Sequence, residues 1–266
     1  MRLLVYTGIF GNYDRVFPPV RPVTRAHFVA VTDDPSLNVP GWATQVVEAG
    51  RFGTSREANR YYKMLGHREL GDFDASIYVD GNVRLLGDPV DAAAGFIKSG
   101  AALGIFRHPL RDSVAGEVEA CIRNGKVEDP RPIRNEYQEY VADGFRDDLG
   151  LVEATILMKN HHHAGLDEAM ALWHTLYARH LTRDQISLPY VLWKTGLPCH
   201  YHPGSFRDPN PHFGLYPHFG DPNTPTAYAY LRARSFDSRV HRLALGAWHL
   251  KWDAQRRLRR LFGAGQ

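Results

Sequence analysis

The sequence predicts an α/β protein built around a mostly parallel sheet, and three observations carry that prediction. Short β-branched and aromatic runs alternate with helix-period segments along most of the chain. Polar clusters follow several of the apolar runs, as ligand-binding loops do at the carboxyl edge of such sheets. The composition, 44% hydrophobic and 23% charged, is globular and excludes a disordered or fibrous chain. A length of 266 residues suits one α/β domain or two smaller ones.

Residues 3–7 read as the first strand, closing on the turn Gly8-Ile9-Phe10-Gly11-Asn12-Tyr13-Asp14. Residues 27–32 give a second strand, stopped by Asp33-Asp34-Pro35, and residues 42–47 a third. Thr54-Ser55-Arg56-Glu57 has the form of a capping box, so a helix is expected from there to about Leu65, ahead of Gly66. Residues 76–79 form a buried strand that ends at Asp80-Gly81-Asn82. Residues 103–106 and 155–158 are further strands, and residues 167–177 and 186–193 read as helices. Residues 199–226 are rich in Pro, Gly, His and aromatics without periodicity, which reads as a long ordered loop suited to a lid or acceptor site.

Charge divides the chain. The 32 Lys+Arg and 29 Asp+Glu give a net +3, but residues 232–266 hold nine Lys/Arg against two Asp. Residues 1–231 hold 23 against 27, a net −4, which argues against a nucleic-acid-binding body. The expected division is therefore a catalytic domain over 1–231 and a basic amphipathic tail over 232–266. Cys121 and Cys199 are too few for a disulfide framework or a cysteine zinc site, and read as reduced thiols of a cytoplasmic protein. The first apolar run is too short for a secretory leader, and no run is long enough to span a membrane.

Three constellations carry chemistry. Asp80 and Asn82 leave one strand end two residues apart, where both oxygens can meet a hard cation such as Mg²⁺ or Mn²⁺; the alternative is a plain Asp-Gly-Asn turn. Arg56, Arg60 and Lys63 share one face of the helix that follows Thr54, a stripe suited to a diphosphate or else a solvated face. Asp184 and Gln185 open an apolar helix, where an Asp is either a site residue or a cap. Fourteen histidines include His161-His162-His163, whose side chains alternate, and His200-Tyr201-His202, of which His202 is a candidate later ligand to the Asp80 metal. No zincin, nucleophile-elbow, Walker or kinase motif is present.

In this order the segments Tyr6-Thr7-Gly8, Val31-Thr32-Asp33, Arg60-Tyr61-Tyr62-Lys63, Tyr78-Val79-Asp80-Gly81-Asn82, His108-Pro109-Leu110-Arg111, Gly150-Leu151-Val152-Glu153 and Arg183-Asp184-Gln185-Ile186-Ser187 resemble one family. It is the glycosyltransferase-like group catalogued as domain of unknown function 616, and the likeness covers about residues 3–200. The resemblance implies a GT-A, Rossmann-type fold and transfer of a sugar from a nucleotide-sugar, UDP-sugars being the expected class. It places the nucleoside on Thr7, Gly8, Tyr13 and Asp33, with Asp33 on the base, and the diphosphate on Arg60 and Lys63. It sets Asp80 and Asn82 in the place of an Asp-x-Asp metal motif, Asn replacing the second acid. Asp184 and Gln185 would lie beneath the sugar, which favours retention, and Glu153 on the acceptor side. The implied acceptor is a surface or capsular glycan, or a lipid-linked one.

Two other classes remain to be separated from this one: a non-catalytic nucleotide- or glycan-binding module on the same fold, and a metal-dependent hydrolase. On a helix from Val240, residues Leu243, Ala244, Ala247, Leu250, Leu258, Leu261 and Phe262 share a stripe flanked by Trp248 and Trp252. That tail offers either a helix docked on its own core or a contact with an anionic membrane at the inner face.

Overall fold

The first strand, β1 (Leu3–Ile9), runs two residues beyond its apolar stretch because Gly8 and Ile9 still pair with Val31 and Thr32 of β2 (His27–Thr32). The structure, a computed structural model, describes residues 1–20, 24–207, 210–216, 218, 227, 228, 231 and 239–262. Further along come β3 (Ala43–Val46), β4 (Ala75–Val79), β5 (Val83–Leu85), β6 (Leu103–Arg107), β7 (Val152–Asn160), β8 (Cys199–His202) and β9 (Phe213–Leu215). Seven of them form one sheet in the order β3-β2-β1-β4-β7-β6-β8, and β5 pairs with β9 in a separate ribbon. All neighbours in the large sheet are parallel except β7, which runs against both β4 and β6. The expected mostly parallel α/β architecture is therefore present.

The reversal of β7 matters for the site. Its first residues lie at the carboxyl edge of the parallel strands, where Asp80 N–H donates to Thr155 O at 3.0 Å and Glu153 stands nearby on the same strand.

Helix α1 (Ser55–Leu65) starts as expected: Thr54 Oγ1 accepts from Glu57 N–H at 3.1 Å and donates to the Glu57 carboxylate at 2.8 Å. Helices α2 (Pro89–Ser99), α3 (Val114–Arg123) and α4 (Pro130–Ala142) had no counterpart in the sequence reading. Two of them carried a legible signal. Asp88 and Asp129 cap helices that have proline at the first position, accepting from Val90 N–H at 2.8 Å and Arg131 N–H at 2.9 Å. Helices α5 (Leu166–His180) and α6 (Asp184–Thr195) extend the two expected helices.

One face of the sheet buries Leu4, Tyr6 and Leu157 against Tyr62 of α1, Trp173 of α5 and Leu188 of α6. The other packs Val5, Ile77 and Val79 with Phe96 of α2 and Phe213 of β9. Lys159 on β7 is fully buried, and its Nζ donates to Lys63 O (2.6 Å), Met64 O (2.9 Å) and Tyr6 OH (3.0 Å). It thereby satisfies carbonyls at the carboxyl end of α1 and fixes that helix to the sheet.

The expected loop over 199–226 is corrected in part. Its start is β8, which extends the sheet beside β6, and residues 213–215 are β9; residues 208, 209, 217 and 219–226 lie outside the described residues. The histidine-rich β8 lacks the apolar alternation that would have revealed it. Helix α7 (Arg239–Phe262) is the basic tail. Of the two alternatives for the tail, docking on the protein's own body holds for Trp248 and Trp252, which face Tyr228, with the Trp252 ring stacked on it at 4.8 Å.

Candidate functional site

The carboxyl edge of the sheet gathers most of the expected residues. Strand β4 is buried on both faces, so its next residue, Asp80, emerges with little freedom. Gly81 is required there because a Cβ would come within 3.0 Å of Asp14 Cβ, as well as against Ile9. The Asp80 carboxylate accepts from Tyr78 OH at 2.8 Å and from Lys63 Nζ at 3.3 Å, both through Oδ1. Lys63 also pairs with Asp184 Oδ2 at 2.7 Å, and Arg60 Nε lies 3.2 Å from the same oxygen. Residues from α1, β4 and α6 thus meet in one carboxylate–ammonium–carboxylate line.

That line corrects one expectation and settles an alternative. The Lys63 ammonium is 2% exposed and enclosed by two carboxylates, so it is not a free cation for a diphosphate; Arg56 on the same stripe is exposed and Arg60 half-buried. Asp184 is not a cap, because Arg183 occupies that position and Asp184 spends its carboxylate on Arg60 and Lys63. Burial alone would raise the Asp184 pKa, but the two cations outweigh it and hold the carboxyl well below the usual range. Asp184 is an anion at any working pH. Trp173 Nε1 donates to its carbonyl at 2.9 Å, fixing the start of α6.

The glycine-rich turn after β1 is set by its backbone. Gly11 (φ +61°) and Asn12 (φ +53°) are both left-handed, as a two-residue reversal demands, and a Cβ on Gly11 would lie 2.6 Å from Ser55 Oγ. Asp33 holds this turn, both of its oxygens accepting from Gly11 N–H at 3.1 Å. The Gly8 carbonyl accepts from Asn59 Nδ2 at 2.7 Å. Thr7 is buried with its hydroxyl unpartnered, whereas the Tyr13 ring is exposed and 5.3 Å from the ring of His218.

His202 is not brought to Asp80. It ends β8, stacked on Phe106 at 4.8 Å, with β7 and β6 between its strand and β4. Among the described residues no three His, Cys, Asp or Glu side chains converge as a metal site. The histidine that the fold does carry to this end is His218, whose Nδ1 is 2.6 Å from Asp14 Oδ2, and Asp14 packs on Gly81. Sequence spacing offers no signal for it, because the contact joins positions 204 apart.

For a divalent cation the fit rests on two oxygens. Both contacts of Asp80 use Oδ1, which leaves Oδ2 without a protein partner among the described residues. Asn82 donates Nδ2 to Tyr216 O at 2.8 Å, and its Oδ1 is buried and unpartnered. Further orphaned buried atoms at this edge are Gln185 Nε2 and Glu153 Oε2. Buried polar atoms are normally paired, so these atoms are candidates for contact with a bound ligand.

Glu153 belongs to a second charged group. Its Oε1 accepts from Arg207, and His108 Nε2 is 4.0 Å away; Arg111 bonds the buried Glu117. Burial pushes the Glu153 carboxyl up despite Arg207. Burial and the Arg111 and Arg207 charges bring His108 down to about 4, so it is neutral at pH 7. A cleft of about 370 Å³ is lined by Phe52, Tyr61, His174 and Tyr177, and Asp80 is not among its lining residues.

Residues 1–208 match the TOD1/MUCI70 glycosyltransferase-like domain family, and the chain belongs to that family. The glycosyltransferase-like part of the resemblance is thereby borne out. The structure is similar to the apo crystal structure of mouse xyloside xylosyltransferase 1, with a TM-score of 0.45 and 10% identity over 76% of this chain and 84% of that one. No role is carried over from that neighbour. Comparison with curated proteins gives no match.

Proposed function

We propose that the protein transfers a sugar from a nucleotide-sugar, UDP-sugars being the expected donors, to a glycan or lipid-linked glycan, with retention of configuration. The observation that carries this reading is the fixed, ionised Asp184 at the start of α6, set by Lys63 and Arg60 beside Asp80. Both ion pairs use Asp184 Oδ2, so Oδ1 is the oxygen that would face the sugar, and a carboxylate held in place this way needs no reorganisation at the moment of transfer. Gln185, with Nε2 unpartnered, would donate to a sugar hydroxyl.

Asp80 and Asn82 would hold Mn²⁺ or Mg²⁺ through the two oxygens left without partners. Such an ion, when bound, neutralises a leaving diphosphate. Arg60 and exposed Arg56 supply the protein's own positive charge beside that position, while Lys63 positions the two carboxylates. The turn at Thr7, Gly8 and Tyr13, braced by Asp33, is assigned to the nucleoside. Glu153 is assigned to the acceptor side.

Donor hydrolysis measured across UDP- and GDP-sugars with Mn²⁺ tests the reading. Turnover is expected with one donor class, and Asp80→Ala should reduce it by about 10²–10³-fold. UDP binding by calorimetry that ignores divalent ions, with no turnover on any donor or acceptor, would establish a binding module instead.

A further inference from the structure

Helix α7 has two apolar faces, and the body of the protein uses one. Leu245 is buried, Trp252 stacks on Tyr228, and His249 lies 4.4 Å from the Tyr216 ring and 2.9 Å from Tyr228 OH. At about 100° per residue, Val240, Leu243, Ala247, Leu250, Ala254 and Leu258 fall within an arc of about 80° on the opposite side. Leu243, Val240 and Leu250 are 77%, 73% and 72% exposed, the most exposed large hydrophobic side chains among the described residues, and Leu258 is 53% exposed. Arg239 and Arg257 border this seam on one side and Lys251 on the other, all three exposed.

We propose that this outer seam seats α7 in the plane of an anionic membrane surface. An apolar strip edged by cations is the pattern of an interfacial helix, whose leucines enter the acyl boundary while its cations meet acidic headgroups. Charge selects this occupant over a second copy of the chain. The helix holds seven Lys/Arg against one Asp, so two seams packed together would bring like charges face to face. No described helix is long and apolar enough to cross a membrane, and α7 lies on the surface rather than spanning it.

The seating also places the site. The inward face of α7 rests on Tyr216, whose carbonyl accepts from Asn82 Nδ2. A seated helix therefore holds the Asp80–Asn82 turn roughly one helix diameter, about 10 Å, from the lipid headgroups.

The test uses the full chain and co-sedimentation with two vesicle types, phosphatidylcholine alone and phosphatidylcholine mixed with phosphatidylserine. Binding is expected on the mixed vesicles only, weakening as salt rises. The Leu243→Ser/Leu250→Ser variant should bind at least about tenfold more weakly, with its melting temperature and sedimentation coefficient unchanged. The Arg239→Glu/Arg257→Glu variant should lose binding similarly. Absent or equal binding to the two vesicle types, or a leucine variant that binds like the wild type, overturns the proposal. So does a melting temperature lowered by the leucine changes, which would show the seam to be covered, or a wild-type dimer that they dissolve.

Discussion

Asp184 and Glu153 are both buried carboxylates at the same edge of the sheet, yet their surroundings push them in opposite directions. Asp184 has two cations on one oxygen, Arg60 and the enclosed Lys63, and is driven down. Glu153 has Arg207, which is half-exposed, and a neutral His108, and is raised. Glu136 on α4 extends the series: it is buried with the Tyr140 and Thr182 hydroxyls donating to it, and burial pushes it from 4.5 to about 7. Burial is common to all three. The number of cations, and how far they are themselves desolvated, decides which carboxylate stays charged. The catalytic assignment of Asp184 follows that order.

The largest effect is expected from removing the shared cation. Lys63→Met leaves Asp80 and buried Asp184 with less compensation and should cost about 3–5 kcal/mol in urea unfolding, together with transfer activity. A loss below about 1 kcal/mol would show that the charges are solvated and break the comparison. Next comes Asp184→Asn, which keeps the shape and deletes the charge; turnover should fall about 10²–10³-fold with donor affinity by calorimetry little changed. The same variant should flatten acid unfolding. With its pKa depressed in the fold, Asp184 contributes stability that is present above the ordinary carboxylate value of about 3.9 and lost as pH falls below it.

A smaller effect is expected at the second carboxylate. Arg207→Met removes the cation opposing burial, so the Glu153 pKa should rise further and the acid limb of kcat/KM should move to higher pH. An unmoved limb would take Glu153 out of the reaction. The last effect is read in stability rather than in turnover and belongs to Glu136. Its folded pKa is raised, so this group's contribution to stability is most favourable at or below pH 4.5 and declines toward about 7, where both states are ionised. Glu136→Gln should abolish that slope in urea midpoints measured between those values.

The local elements were largely legible from residues 1–80. Strand β2 runs over the residues expected, and α1 begins at its Thr54 cap and ends at Leu65, because caps, apolar runs and turn glycines act within a few positions. Asp80, Asn82 and Asp184 could be nominated for a similar reason: the first two leave an apolar strand at its end, Asp184 opens an apolar helix, and the chain order resembled a known family. What only the tertiary structure decided is which of these groups meet. The i, i+4, i+7 stripe gave Arg56, Arg60 and Lys63 one apparent role, and burial divided them, enclosing Lys63 between carboxylates from β4 and α6. His202 stood out in the sequence within His200-Tyr201-His202 and His218 did not, yet strand order leaves the first on the far side of β6 while a contact across 204 positions carries the second to Asp14. The tail's periodicity announced an amphipathic helix, and docking alone showed that its tryptophans and Leu245 face inward while Leu243, Leu250 and Leu258 face outward. Periodicity is a property of neighbouring residues. Partner choice and desolvation depend on long-range packing, which no local spacing encodes.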